Sequence, residues 1–324
     1  MDIMKLLPAG KDYLWGGTRL REEFGKNIKM TPLAETWECS VHPDGPSIVA
    51  NGKYAGMTLA EVLDEHQEFL GSKVEPGENG RKELPVLVKL IDAKRDLSVQ
   101  VHPDDRYARE HEGQNGKTEM WYILDAAEDA SLIYGFIHPV SGGLLRSAIQ
   151  EGTLDKHLQK IKVNKGEVYY VPAGMVHGIG AGTLVAEIQE NSNVTYRVYD
   201  YDRVDKNGKK RALHFDKAVE VMDMGIAPDV SSQHRFVRYY PGGSRETLCR
   251  CRYFVTERVQ LTHGFAFSVL EESFQILLCL DGEGGIEAEG RNPVRFRKGD
   301  CLFLPAGLGR CYVIGETELL KVRC

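Results

Sequence analysis

The sequence predicts a mainly β protein, built as two jelly-roll modules with helical insertions. Three observations predict it. Most of the chain falls into short runs rich in β-branched and aromatic residues, bounded by Gly, Pro, Asn and Asp. Helical periodicity is confined to a few short stretches. One line is also written twice: KGEVYYVPAGMVHGIG from Lys165 to Gly180, and KGDCLFLPAGLGRCYV from Lys298 to Val313.

The elements follow in chain order. TLAEVLDEHQEFLG opens with a capping box, Thr58 and Glu61, and closes on Gly71, which predicts a helix near 58–71. LPVLVKLIDA is an apolar strand interrupted by Lys89; a lysine in such a strand usually snorkels to the surface. VQVHP is a short strand, and DDRYAREHE after Pro103 is a short helix. TEMWYILDA is the next strand, and SGGLLRSAIQEGTLDKHLQKI predicts one or two helices near 141–161. EVYYVPA, TLVAEIQE and the alternating TYRVYDYDR return to strand. The polar, turn-rich GIAPDVSSQHRF marks a boundary, so the modules are expected at 1–230 and 231–324. FAFSVLEE, SFQILLCLDG and CLFLPAG are the strands of the second module.

The repeat has a measurable register. His177 and Arg310 are 133 positions apart, while TEMWYILDA and FQILLCLDG align with Asp125 and Asp281 156 apart. The first copy is therefore longer by 23 residues, about the length of the helical segment after Ser141. Under this alignment Glu119 falls opposite Gln275. The second copy keeps the Gly-Pro scaffold and lacks both the histidine and the glutamate. Arg310 is expected to face solvent or the other module.

Composition narrows the function classes. The 324 residues are 42% hydrophobic and 27% charged, ordinary for a folded globular chain with a sizeable core. A net charge of −6 gives no reason to expect nucleic acid or an anionic membrane, but leaves room for a basic pocket and a small anionic substrate. No segment approaches the roughly 20 apolar residues of a membrane span. The N-terminus has no run suited to a signal peptide. Seven cysteines, an odd number in a long chain, are expected as free thiols in a cytoplasmic protein.

The residues that carry chemistry cluster in the first copy. Gly166, Pro172, Gly174 and His177 fit G-x5-P-x-G-x2-H, the second motif of the cupins. The turn aims the histidine into the mouth of the barrel. Gln100 and His102 are two apart on a predicted strand and share a face, and Glu119 begins another. Two imidazoles, a carboxylate and an amide oxygen suit Zn²⁺ or another divalent ion with a position open. Alone, His102 beside Pro103 would be a turn residue and His177 a satisfied core histidine. Together with Glu119 and the turn, they read as ligands.

LPVLVKLIDAKRDLSVQVHPDD, GKTEMWYIL, YYVPAGMVHGIGAGTLVAEIQENSNVTYRVYDYDR and the early AETWECSVHP resemble the type I mannose-6-phosphate isomerases, most closely their short bacterial branch. The resemblance covers most of residues 11–216. It implies one Zn²⁺ per chain on Gln100, His102, Glu119 and His177, a metal-free second module, and a catalytic arginine at Arg197. It also implies interconversion of mannose 6-phosphate and fructose 6-phosphate, with a small phosphosugar as the substrate.

That chemistry moves a proton between C2 and C1 through a cis-enediol. A metal polarises the carbonyl and orients the two oxygens. A lysine beside a dication sheds its proton more readily, and Lys117 stands two residues before Glu119. Glu190 is the alternative base and is expected to face the substrate. Arg197 stays protonated and can clamp an oxyanion or phosphate. Lys89 and Ser40 are the other candidates for the phosphate, and Trp15 and Trp37 for the pocket wall. Two rival readings stand beside this one. Two histidines and a carboxylate also suit an Fe(II) cupin oxygenase, and a sugar-binding cupin could keep the fold without turnover.

Overall fold

The predicted strands assemble into three antiparallel sheets in a computed structural model, which describes residues 1–77, 79–205, 207–229 and 235–324. The six-stranded sheet runs Val168–Val171, Glu119–Ala126, Thr183–Glu190, Val86–Ala93, Glu35–Cys39, Ala9–Lys11. The five-stranded sheet runs Tyr196–Tyr199, Val99–Val101, His177–Ile179, Ser131–Phe136, Leu158–Lys162. Between them lies an apolar core that takes Ile91, Trp121 and Val185 from the first and Leu132, Tyr134 and Ile179 from the second. These two sheets form the first jelly roll.

The six-stranded sheet is covered on both faces, so Val86–Ala93 and Thr183–Glu190 are buried at every position. Its outer face packs Val88, Met120 and Ala186 against Ile276, Phe303 and Leu320 of the second module. That contact explains why these strands are almost continuously apolar instead of alternating.

The second module repeats the strand order of the six-stranded sheet. Within the ten-stranded sheet the order is Val237–Tyr240, Gly243–Arg250, Val255–Leu261, Gly309–Arg323, Gln275–Ala288, Cys301–Leu304, then Met4–Leu7 and Ile48–Val49. Glu119 pairs with Val171 just before Pro172, and Gln275 pairs with Leu304 just before Pro305. The alignment expected from the sequence is thus the structural register. The second barrel is filled with apolar side chains, among them Leu277, Phe296, Leu302 and Val313. Arg310 is exposed.

The helices begin where their caps predict. Thr58 and Glu61 make the reciprocal capping box, and Gly71 closes the segment at φ 84°. Asp104 caps Asp105–Glu112, and Ser141 caps Gly142–Gln150. The expected helical stretch near 141–161 is cut short. A single 3₁₀ turn, Leu154–Lys156, follows, and Leu158–Lys162 is a strand paired with Ser131–Phe136. An open edge of the five-stranded sheet outbids a weak helical pattern there. No helix among the described residues is long and apolar enough to cross a membrane.

The expected module boundary near 230 falls at residues 230–234, outside the described ones. Strand pairing crosses it in any case. Met4–Leu7 pairs with Cys301–Leu304, so the first strand of the chain completes the sheet of the last module.

Candidate metal centre and substrate cleft

Strand register puts the site together. On the five-stranded sheet Gln100 pairs with His177 on one side and with Arg197 on the other, so three predicted residues stand in a row. Side chains opposite each other in register share a face. His102 follows two residues after Gln100. Glu119 comes from the facing sheet, where it pairs with Gln189. The candidate metal donors therefore converge from both walls of the barrel.

The PAG turn fixes the last of them. Gly174 sits at φ 88°, where a side chain is strained, and its N–H donates to the carbonyl of His102 at 2.8 Å. The same turn that aims His177 thus also holds the His102 backbone.

His102, Glu119 and His177 are wholly buried and form a three-residue group with ligand atoms within 4.8 Å of one another. His102 donates from Nδ1 to the Val194 carbonyl at 2.9 Å, and His177 from Nδ1 to that of Met175 at 2.8 Å. Those bonds fix the tautomers and turn both Nε2 lone pairs into the barrel, where Lys117 Nζ comes within 3.0 Å of His102 and the Gln100 amide within 3.4 Å of His177. The two Nε2 atoms are 3.1 Å apart, and Glu119 oxygens lie 3.5 and 3.4 Å from them. Burial keeps both rings neutral, pushing His102 down to about 3 and lowering His177 as well. Oε1 of Glu119 is buried without a hydrogen-bond partner.

Two acceptor lone pairs facing each other at 3.1 Å beside a buried carboxylate oxygen without a hydrogen bond form a donor set that suits a cation, a place that the Lys117 ammonium takes only in part. The residues fit a divalent ion. Gln100 adds an amide 3.4 Å from His177 Nε2, and Ser98 Oγ donates to its Oε1 at 3.1 Å. A half-turn of that amide presents the oxygen instead.

Lys117 reaches into the same group, with Nζ 2.5 Å from Glu119 Oε2 and 3.0 Å from His102 Nε2. It opens onto a cleft that it lines with Gln100, Lys89, Arg197, Tyr13 and Trp15. Arg197 is half-buried in this wall. Its Nε has no hydrogen-bond partner, and no carboxylate among the described residues pairs with it. The exposed, acid-paired arginine that such a strand usually carries is not what the fold builds here.

Lys89 does not snorkel. It is buried beneath the cleft, 3.1 Å from Glu187 and 3.9 Å from Glu35. Burial alone would lower its pKa, but Glu187, Glu35 and Glu119 raise it above the ordinary value. Indole N–H groups hold the two nearest carboxylates: Trp121 donates to Glu187 at 2.9 Å and Trp37 to Glu35 at 2.8 Å. Trp37 is core and Trp15 is cleft wall.

Two expected site residues are elsewhere. Ser40 is fully buried, where its Oγ accepts from the His42 N–H at 3.2 Å, and it does not reach the cleft. Glu190 points to the opposite face of its strand. Its carboxyl accepts from the Thr118 N–H at 2.6 Å, and burial followed by Asp105 raises it to about 8. Strand parity separates it from Glu187, three residues earlier and on the cleft side. The sequence reading missed Glu187, Glu35, Asn193, Thr195 and Arg211 in the cleft wall. Glu187 left a signal, an acid in the apolar run TLVAEIQE to match the lysine in LVKLIDA.

Comparison with known proteins agrees with this geometry. A model of the phosphomannose isomerase type I catalytic domain matches residues 3–129, and one of the mannose-6-phosphate isomerase cupin domain matches residues 244–324. The chain is 40% identical over 314 residues to the mannose-6-phosphate isomerase ManA of Bacillus subtilis, covering 97% of this chain and 96% of the relative. It is 38% identical over 307 residues to the mannose-6-phosphate isomerase of Streptococcus mutans, covering 95% and 93%. The crystal structure of the mannose 6-phosphate isomerase from Bacillus subtilis superposes with a TM-score of 0.89 at 39% identity, over 99% of each chain. With matches of this identity along nearly its whole length, the chain belongs to the type I phosphomannose isomerases.

Proposed function

We propose that this enzyme interconverts mannose 6-phosphate and fructose 6-phosphate through a cis-enediol, with one Zn²⁺ held by Gln100, His102, Glu119 and His177. The observation that carries the reading is the pairing of two features. Imidazole and carboxylate donors meet in the barrel, and an arginine with no acid partner among the described residues stands beside them in the same row of the sheet.

When bound, a divalent ion supplies Lewis acidity toward the sugar's carbonyl and hydroxyl oxygens. The chain supplies the rest. Lys117 is the candidate base, because its amine reaches both the donor group and the cleft. Arg197 offers a fixed, charge-assisted fork to the phosphate or the developing oxyanion. Lys89, neutralised by Glu187 and Glu35, shapes the floor and is a weaker claimant for the phosphate. Trp15 and Tyr13, stacked at 5.6 Å, give the sugar an amphipathic wall.

The test is a coupled assay for fructose 6-phosphate formed from mannose 6-phosphate, on metal-replete enzyme and on enzyme stripped with chelator. The expected result is turnover that vanishes on stripping and returns with Zn²⁺. Folded protein that turns over under no divalent metal, or that takes up oxygen with Fe(II) instead, overturns the proposal.

A further inference from the structure

The second module is not simply a blank copy of the first. In the first module Lys89 pairs in register with Glu187 on one side and with Trp37 on the other, and Glu35 lies two residues back from Trp37. In the second module the strands in the same places pair Glu257 with Lys321 and with Thr247, and Arg245 lies two residues back from Thr247. In both the central residue is bridged to both neighbours; the first triad is wholly buried, and in the second Glu257 and Lys321 are buried while Arg245 is half-buried. Lys321 Nζ is 3.1 Å and Arg245 Nε 3.5 Å from Glu257. The acid–base–acid of the catalytic cleft has become base–acid–base, so the local charge is inverted.

The surroundings follow the inversion. The triad and Gln275, the structural counterpart of Glu119, line a cavity of about 750 Å³. Lys73, Arg238, Arg250 and Arg323 line it too, against one further acid, Glu272. Among the described residues none of these four cations forms an ion pair, although the chain as a whole carries a net charge of −6. Uncompensated guanidinium groups around a concavity are an anion site, and their forked donors match phosphoryl oxygens. Gln275 adds a buried amide oxygen with no hydrogen-bond partner among the described residues, while its Nε2 donates to the Ser268 carbonyl at 3.0 Å. That orphan can only accept, so it asks for a hydroxyl donor and not for an anion.

We propose that this cavity is a second ligand site, one that takes a phosphorylated polyol or sugar with its phosphate on the arginines and a hydroxyl on Gln275. The site is metal-independent and separate from the isomerase reading, so either can fail without the other.

The test is isothermal titration calorimetry on the metal-loaded full chain with glucitol 6-phosphate, which has no carbonyl and is not isomerised, and with inorganic phosphate as the second arm. The variant is Arg250→Glu with Arg323→Glu, with Arg238→Glu on an exposed strand as an independent second variant. The expected result is that charge reversal removes one bound equivalent, or weakens it at least about tenfold, while mannose 6-phosphate turnover is unchanged. Unchanged turnover also shows that the variant is folded. The same stoichiometry with the same affinities before and after reversal in both variants overturns the site. Equal affinity for inorganic phosphate overturns the polyol part and leaves a bare phosphate site.

Discussion

At the scale of single residues, the proposed metal donors and the arginine separate cleanly by experiment. His177→Ala removes one of the two facing Nε2 atoms without touching Arg197. The expected outcome is a loss of at least about 100-fold in metal affinity, read as metal per chain after dialysis, with turnover falling in step. Arg197→Lys keeps the charge but loses the fork. We expect kcat/KM to fall by about 100-fold, roughly 3 kcal/mol of transition-state binding, with metal content unchanged. Glu190 tests the opposite claim, that a charged residue of this region lies outside the cleft. Its folded pKa of about 8 is above the ordinary 4.5, so its stabilising contribution is complete below pH 4.5 and is lost as pH rises through 8. Glu190→Gln keeps an oxygen for the Thr118 N–H. It should remove a slope of up to about 1.4 kcal/mol per pH unit between those limits, measured by urea unfolding from pH 5 to 8, with turnover near wild type. An unchanged slope would show that the carboxyl ionises freely in the fold.

At the scale of elements, the repeated turn supplies its own control. Gly174 and Gly307 occupy equivalent positions at φ 88° and 75°. A Cβ on Gly174 would meet the Val221 carbonyl oxygen at 3.1 Å, while one on Gly307 would meet only Glu271 Cγ at 3.6 Å. Both alanine substitutions carry backbone strain of about 1–2 kcal/mol. Gly174→Ala also strains the hydrogen bond to His102, so metal affinity should fall in Gly174→Ala and stay constant in Gly307→Ala. Equal metal binding in the two variants would mean that the turn does not position the ligands. The equivalence of the turns was legible in the sequence because Gly, Pro and Gly are backbone demands that survive when side-chain chemistry is lost. The shared face of Gln100 and His102 was legible for the related reason that spacing by two on a strand fixes a face. Leu158–Lys162 was not legible as a strand, because only an unpaired edge elsewhere in the chain makes it one. The face of Glu190 was lost because TLVAEIQE is buried on both sides, which erases the alternation that would have sorted it from Glu187.

At the scale of the molecule, nothing local announces that the first strand belongs to the last module. MKLL is four residues long, and its partner in the sheet lies almost 300 positions away. Yet Met4–Leu7 is bonded to Cys301–Leu304 on one edge and Ile48–Val49 on the other. Lys5 also reaches Asp300 at 2.6 Å. Met4 and Leu6 sit in the core shared by both modules, and Ile3 in the interior of the second barrel. Deleting residues 1–7 should therefore do more than trim a terminus. Exposing cavities where three large apolar side chains were buried costs about 2–3 kcal/mol each, and the ladder of Cys301–Leu304 loses a neighbour. If the modules are one cooperative unit, calorimetry of the intact chain shows a single transition whose calorimetric and van't Hoff enthalpies agree. The deletion should then lower the whole transition, with metal binding lost at the same temperature as the second module. Two separate transitions in the intact chain would instead make the modules independent, and would confine the effect of the deletion to the second barrel while the metal centre keeps its melting point.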